Sequence, residues 1–303
     1  MESCQLKRSL FILNPSAGIK PVRFILSKEL QRRRNELATF KSLSIDESGS
    51  HIKKSFEDYD IFIAAGGDGT VRSVASELVG TKKVLGVLPM GSGNGFAREF
   101  GFRPNIPSLL RDIKKSESLT VDVIEVNDLL CLNVAGIGLD SYVAHSFEEL
   151  GTRGLWSYAY VTFKNLINLK PVHVTINLSG ETITDELFTL TIANTRQFGN
   201  NAYIAPEARP NDGIIDIVLL KPFPKFETPL IVYRLFRGTL NKSKYVRYLK
   251  TDKPFTIESN ETRYHIDGEP FKFSGAVRVQ IKRDSLSVLK TKRNKLRNNI
   301  PQE

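Results

Sequence analysis

The chain has 303 residues, 41% of them hydrophobic, with 43 Lys and Arg against 33 Asp and Glu, a formal net charge of +10. That length allows a sizeable core and favours two compact domains over one. The charge favours acidic partners, whether nucleic acid, a nucleotide or an anionic membrane surface, without choosing among them. The two cysteines, Cys4 and Cys131, form no CxxC or Cys/His cluster, so neither a disulfide framework nor a zinc site is indicated, and a reducing cytoplasm fits best. The longest apolar run, Leu129 to Leu139, contains Asn133 and falls short of the ~18 residues of a spanning helix. Asn14-Pro15 cuts the run after Lys7-Arg8 too early for a signal peptide.

In chain order, Leu10 to Leu13 reads as a buried strand ended by the turn Asn-Pro-Ser-Ala-Gly at 14–18. Val22, Ile25, Leu26 and Leu30 then recur at helical spacing. Ile61 to Ala65 is a continuous apolar strand of the kind covered on both faces, and Val71, Val74, Ala75 and Leu78 follow at i, i+3, i+4 and i+7. Val84 to Leu88 is a further strand, followed by Pro-Met-Gly-Ser-Gly-Asn-Gly and a helix starting near Phe96. Strand, Gly-rich loop and helix, repeated, predict a parallel α/β sheet with its loops at the carboxyl edge.

After about Asp122 the pattern changes to strands, several of them alternating: 121–126, 172–178, 187–193, 214–220, 255–259 and 277–281, with turn signals at Asp212-Gly213 and Asp267-Gly268 and one helix over 229–237. The expected organisation is an α/β domain over 1–121, a β-rich domain over 122–290 and a basic tail over 291–303.

The segment Gly66-Gly67-Asp68-Gly69-Thr70 lets backbone N–H groups approach an anion, with the next helix adding its N-terminal donors. That suggests phosphate. Asp68 would repel a phosphate unless a divalent cation lies between them or the carboxylate accepts a ribose hydroxyl. Thr70 could cap the helix or bind a phosphate oxygen. A tight structural turn explains the same five residues, but Asn14 to Gly18 and Gly91 to Gly95 emerge at the same expected sheet edge, and three such loops can form one pocket.

Six blocks, in order, resemble the diacylglycerol-kinase-type lipid kinases, a family that includes sphingosine kinases and bacterial lipid kinases: LFILNPSAG (10–18), GGDGT (66–70), PMGSGNGFAREFG (89–101), NVAGIGLDSYV (133–143), PNDGIIDIVLL (210–220) and IDGE (266–269). The resemblance covers almost the whole chain. It implies an α/β N-terminal domain with a parallel sheet of phosphofructokinase/NAD-kinase type, a C-terminal β-sandwich-like domain, and ATP and Mg²⁺ as cofactors of an ATP-dependent lipid kinase in phospholipid metabolism. By the same resemblance Asn14, Gly66, Gly67, Asp68, Gly69, Thr70, Gly91, Ser92 and Asn94 would contact the nucleotide, and Asp68 would reach the catalytic Mg²⁺. Ser92 stands where the family often has threonine, and Gly95 where many bacterial members carry aspartate. Glu269 matches the family's general base. Asp212, with the main-chain carbonyls of Arg209 and Ile214, matches a second, structural Mg²⁺ position, with Asp140 and Asp122 as supporting carboxylates.

A lipid substrate at an anionic membrane surface requires docking, and Arg234, Arg237, Lys242, Lys244, Arg247 and Lys250, interleaved with Phe236, Tyr245 and Tyr248, form a mixture suited to that interface or, equally, a solvated basic face. The implied location is cytoplasmic, peripheral on the inner membrane face, and a homodimer is compatible with it. Two rival functions are an NAD-kinase-like small-molecule kinase, which shares GGDGT, and a non-catalytic nucleotide- or nucleic-acid-binding protein; no nucleic-acid-binding signature is present. The four histidines have no ligation or triad spacing, and the Trp156, Tyr158, Tyr160 stretch could line a lipid entry path or, equally, belong to an amphipathic helix packed on the sandwich.

Overall fold

The computed structural model describes residues 8–15, 20–33, 35–42, 44–139, 141–142 and 170–294. The chain divides into two compact units, residues 1–121 with 284–303, and residues 122–283. The segment from Asp284 onward thus returns to the first unit.

In the first unit, strands β1 (Ser9–Leu13), β2 (Ala38–Lys41), β3 (Ile61–Gly66) and β4 (Val84–Pro89) alternate with helices α1 (Lys20–Arg32), α2 (Ile45–Lys54) and α3 (Asp68–Leu78); α4 (Gly95–Glu99) and α5 (Ile106–Lys115) follow β4. The strands run parallel in the order β2-β1-β3-β4. Every residue of β3 and β4 is buried, as their unbroken apolar runs predict for strands covered on both faces. On α1, Leu26 and Leu30 are buried while Ile25 is exposed, so the apolar stripe is narrower than the spacing suggests. The chain end contributes too: Ser287 and Val288 pair in parallel with Val84 and Leu85, and the Thr291 hydroxyl donates to the Phe100 carbonyl at 2.7 Å. Thr291, the first residue of the basic tail, is therefore packed on the first unit.

The second unit is antiparallel. The long strand β5 (Ser118–Val126) leads into it from the first unit, and β6 (Leu129–Cys131), β7 (Val134–Gly138), β8 (Val172–Leu178), β9 (Glu181–Leu187), β10 (Thr189–Ala193), β11 (Ile215–Leu220), β12 (Val246–Thr251), β13 (Phe255–Ser259), β14 (Arg263–Ile266), β15 (Glu269–Lys272) and β16 (Val277–Leu289) follow. Six strands pair in the order β12-β11-β10-β7-β14-β15. A second layer pairs β16, β13, β8 and β9. One apolar core joins the two layers, with Ile137, Leu190, Ile192 and Ile217 from the first and Val174, Ile176, Ile257 and Val279 from the second. Burial of this kind stabilises by roughly 25 cal/mol per Å² of apolar area. Helix α6 (Thr228–Arg237) starts with Pro229 in its first turn and ends at Gly238, whose φ of 65° suits a left-handed C-cap.

Within this unit Tyr142, Glu261 and Arg263 form a compact polar cluster. The Tyr142 hydroxyl donates to Glu261 Oε2 at 2.6 Å, Arg263 donates to both Glu261 oxygens at 2.7 and 3.1 Å, and the guanidinium lies 4.1 Å from the Tyr142 ring centroid. The Arg263 hydrogen bonds foremost, with Tyr142 adding to them, outweigh burial and hold the Glu261 carboxyl down at about 2 from its ordinary 4.5. A depressed carboxyl stabilises the fold above its unfolded value and loses that contribution as pH falls toward the folded one. Glu261→Gln is expected to lower stability at pH 7 by about 2 kcal/mol, allowing for the partial exposure of Arg263. In chemical denaturation at a series of pH values, the gap to the native chain should hold above pH 4.5 and close as pH falls toward about 2.

Candidate functional site

Parallel pairing sets Leu13 beside Ala65 and Gly66 beside Pro89. The loops after β1, β3 and β4 therefore leave one edge of the first unit together. The Asn14 amide donates from its backbone to Ala65 O at 3.2 Å and from its side chain to the Thr70 hydroxyl at 3.4 Å. Thr70 is thereby placed inside α3, and the extended N-cap of that helix is Gly67, with no side-chain cap. Capping is not the role of Thr70.

The loops after β3 and β4 approach backbone to backbone. A Cβ on Gly66 would collide with the Thr70 side chain, and one on Gly91 would stand 2.8 Å from the Gly67 Cα. Only glycine permits either contact. Asn94, with a left-handed φ of 50°, closes its own loop: its Oδ1 accepts from the Gly91 N–H at 2.9 Å and its Nδ2 donates to the Gly91 carbonyl at 2.7 Å. Arg98 Nε braces the same loop by donating to the Gly93 carbonyl at 3.0 Å. Asp68 opens α3, and its Oδ2 lies 3.3 Å from where a Gly93 Cβ would be. Ser92 sits between these glycines, partly exposed, and Gly69 lies in the first turn of α3. The result is a rim of bare backbone and helix N-terminal donors with a single carboxylate. Such a rim suits the phosphates of a nucleotide.

In the second unit the hairpin β14–β15 turns on Asp267 and Gly268, with φ of 52° and 82°. Positive φ at both central residues is the geometry for which Asp-Gly is the favoured pair. Glu269 begins β15 opposite Ile266 and is partly exposed. Asp267 has a role that spacing did not indicate. Its buried carboxylate accepts from the Asn133, Leu132 and Val134 N–H groups at 2.8, 3.0 and 3.3 Å, with Cys131 Sγ at 3.7 Å. It ties the start of the NVAGIG block to the hairpin that presents Glu269. Asp267→Ala should leave these donors unsatisfied and is expected to cost about 3 kcal/mol, read as a fall in the urea midpoint.

The loop carrying Arg209, Asp212 and Ile214 is organised by carboxylates. Asp212 Oδ1 accepts from the Ile214 N–H at 3.1 Å, while the buried Asp122 accepts from the Gly213 N–H at 2.7 Å and donates its own N–H to the Pro210 carbonyl. Burial first, then the neighbouring Asp122 charge, push the Asp212 carboxyl up. Among the described residues no group of three or more His, Cys, Asp or Glu side chains could hold a metal ion. Asp140 lies outside the described residues, as do His145 and the Trp156 to Tyr160 stretch. His51 stacks on Phe40, His173 pairs with Glu186, and His265 is buried beside Phe198.

The diacylglycerol kinase catalytic domain matches residues 8–126, and the YegS C-terminal NAD kinase beta sandwich-like domain matches residues 133–290, more than half of the chain. The chain belongs to the diacylglycerol-kinase-type lipid kinase family. The diacylglycerol kinase of Bacillus subtilis is 26% identical over 273 residues, covering 87% of this chain and 90% of that protein. A probable lipid kinase YegS-like of Shewanella frigidimarina is 28% identical over 221 residues, covering 69% and 70%. Among solved structures, a diacylglycerol kinase of Bacillus anthracis superposes with a TM-score of 0.69 at 19% identity over 96% of this chain and 99% of that one. An NAD kinase of Archaeoglobus fulgidus in complex with ATP gives 0.55 at 14% identity over 94% and 95%. The lipid-kinase-family architecture is thus an α/β unit with a parallel sheet followed by an antiparallel sandwich-like unit, with NAD kinase a more distant neighbour in fold.

Proposed function

We propose that this member of the diacylglycerol kinase family is an ATP-dependent kinase that transfers the γ-phosphoryl group to the hydroxyl of a lipid such as diacylglycerol or a sphingoid base. The observation that carries the reading is the meeting of the Gly66–Thr70 and Gly91–Asn94 loops, bare backbone against bare backbone, around Asp68.

Phosphoryl transfer requires positioning and charge neutralisation more than covalent work by the protein. The N–H groups at the start of α3 and in the Gly91–Asn94 loop would hold the phosphates, with Asn14 fixing Thr70 and Asn94 fixing the loop shape. Mg²⁺ is commonly held by one or two carboxylates together with substrate phosphates, so Asp68 beside glycines fits that ion. Bound there, Mg²⁺ would neutralise charge developing on the phosphoryl oxygens. Asp212, with the carbonyls of Arg209 and Ile214, would hold the second ion; burial first, and the neighbouring Asp122 charge after it, raise its carboxyl, and a cation there would offset both.

Glu269 would accept the proton of the lipid hydroxyl as the oxygen–phosphorus bond forms and the bond to the ADP oxygen breaks. A hairpin turn held by Asp267 keeps that carboxylate on a fixed strand end rather than on a loose loop.

Purified protein incubated with labelled ATP and, separately, diacylglycerol, a sphingoid base, ceramide, phosphatidylglycerol and NAD tests the reading. Label in one of the lipids is expected. Label in NAD alone supports the small-molecule reading, and label in none refutes transfer to these acceptors.

A further inference from the structure

The expected docking stretch splits in the structure. Lys250 pairs with buried Asp216 at 3.3 Å, the Tyr248 hydroxyl donates to the Ile204 carbonyl at 2.5 Å, and Tyr245 packs on Phe223. Those three residues serve the fold.

Among the described residues, a different face of the same unit stays exposed. Phe226, Leu230 and Tyr233 follow one another at intervals of four and three along the turn before α6 and along α6 itself, and they are 79%, 42% and 59% exposed. The opposite side of α6 buries Ile231 and packs Val232 and Leu235 on a core that includes Val218, Leu220 and Phe223. A single helix thus presents two apolar faces, of which, among the described residues, one meets protein. Exposed large apolar side chains gathered in this way mark an interaction surface.

Charge selects the occupant. Residues 221–250 contain eight Lys or Arg and one acid, Glu227. Among the described residues, Lys225, Arg234 and Arg237, which border the apolar stripe, form no ion pair. No described helix is long and apolar enough to cross a membrane. A short amphipathic helix with a basic border lies in the plane of a bilayer interface, its apolar side chains below the headgroups. Each basic residue near an anionic surface contributes about 1 kcal/mol.

We infer that Phe226, Leu230 and Tyr233, flanked by Lys225, Arg234 and Arg237, form the docking face through which this chain engages an anionic lipid surface. A lipid acceptor gives the face its purpose, so the docking rests on the kinase reading; its test does not, because binding is measured without nucleotide.

The full chain is sedimented with vesicles of phosphatidylcholine alone or mixed with phosphatidylglycerol, at low and high salt. Binding to the mixed vesicles, weakened by salt, is expected. Leu230→Ser with Tyr233→Ser should weaken it about tenfold or more, the scale expected from removing two inserted side chains. Both positions are exposed, so the melting temperature should stay within a few degrees of the parent. Should the double variant unfold, Lys225→Glu with Arg237→Glu provides the second reading, with a comparable loss expected. Unchanged vesicle binding in both variants overturns the proposal. So does an absence of wild-type binding combined with a dimer that the Ser variant dissociates, since the face would then belong to a second copy. Vesicle binding without phosphorylation of any lipid would leave the docking face standing and remove the kinase reading.

Discussion

Asp68→Ala is expected to lower kcat/KM by about a thousandfold and to weaken Mg·ATP binding in calorimetry, because one carboxylate serves the rim formed by two glycine loops. Structural damage does not explain such a loss. Asp68 stands in the first turn of α3, where a negative charge is worth only about 0.5 kcal/mol against the helix dipole. The variant should therefore melt close to the parent. Asp68→Asn keeps the size and most hydrogen-bonding capacity while removing the charge. If charge toward a metal is the function, Asn should behave like Ala; if hydrogen bonding to a ribose hydroxyl is the function, Asn should retain most of the activity.

Glu269→Gln is expected to reduce kcat by about 10²- to 10⁴-fold, the range of general-base catalysis, with Mg·ATP affinity unchanged within about a factor of three. The contrast with Asp68 is the informative part. In the proposed mechanism Asp68 would act on nucleotide and transfer together, whereas Glu269 would act on the acceptor hydroxyl. Glutamine is isosteric, and Glu269 begins a strand whose turn is held by Asp267 and Gly268 instead. Folding should be unaffected, in contrast to Asp267→Ala. Near-normal turnover by the Gln variant would remove Glu269 from the base role.

The sheet of the first unit was legible because its chemistry is local. Buried parallel strands such as Ile61–Gly66 and Val84–Pro89 are continuous apolar runs, and α3 has clean helical spacing. The strand β2 and helix α5 were not read: β2 is four residues of alternating, half-exposed character, and α5 holds its place through Asn105, whose side chain accepts from the Ser108 N–H. In the second unit, β7 and β14 pair with each other across more than a hundred residues of sequence, and β9 carries mostly polar side chains. No short window of sequence contains the β7–β14 pairing.

The same distinction holds at the candidate site. The glycines of 66–70 and 91–95 announce a backbone that must come close to something, which the sequence carries by itself. That Gly67 meets Gly91, that Asn14 reaches Thr70, and that Asp267 anchors 132–134 are tertiary facts. The docking residues differ again. Sequence marked the basic residues of 234–250, but which apolar side chains face solvent depends on how α6 lies on its core, and that turns attention from Tyr245 and Tyr248 to Leu230 and Tyr233.

One measurement bears most directly on the proposed phosphoryl transfer. ATP labelled in its γ-phosphate and ATP labelled in its α-phosphate are incubated in parallel with the purified chain, Mg²⁺ and the acceptor lipid, and the organic phase is counted. Label is expected in the lipid from the γ-labelled nucleotide alone, and Asp68→Ala should abolish it. No γ-label in the lipid phase, or equal label from both nucleotides, would contradict it.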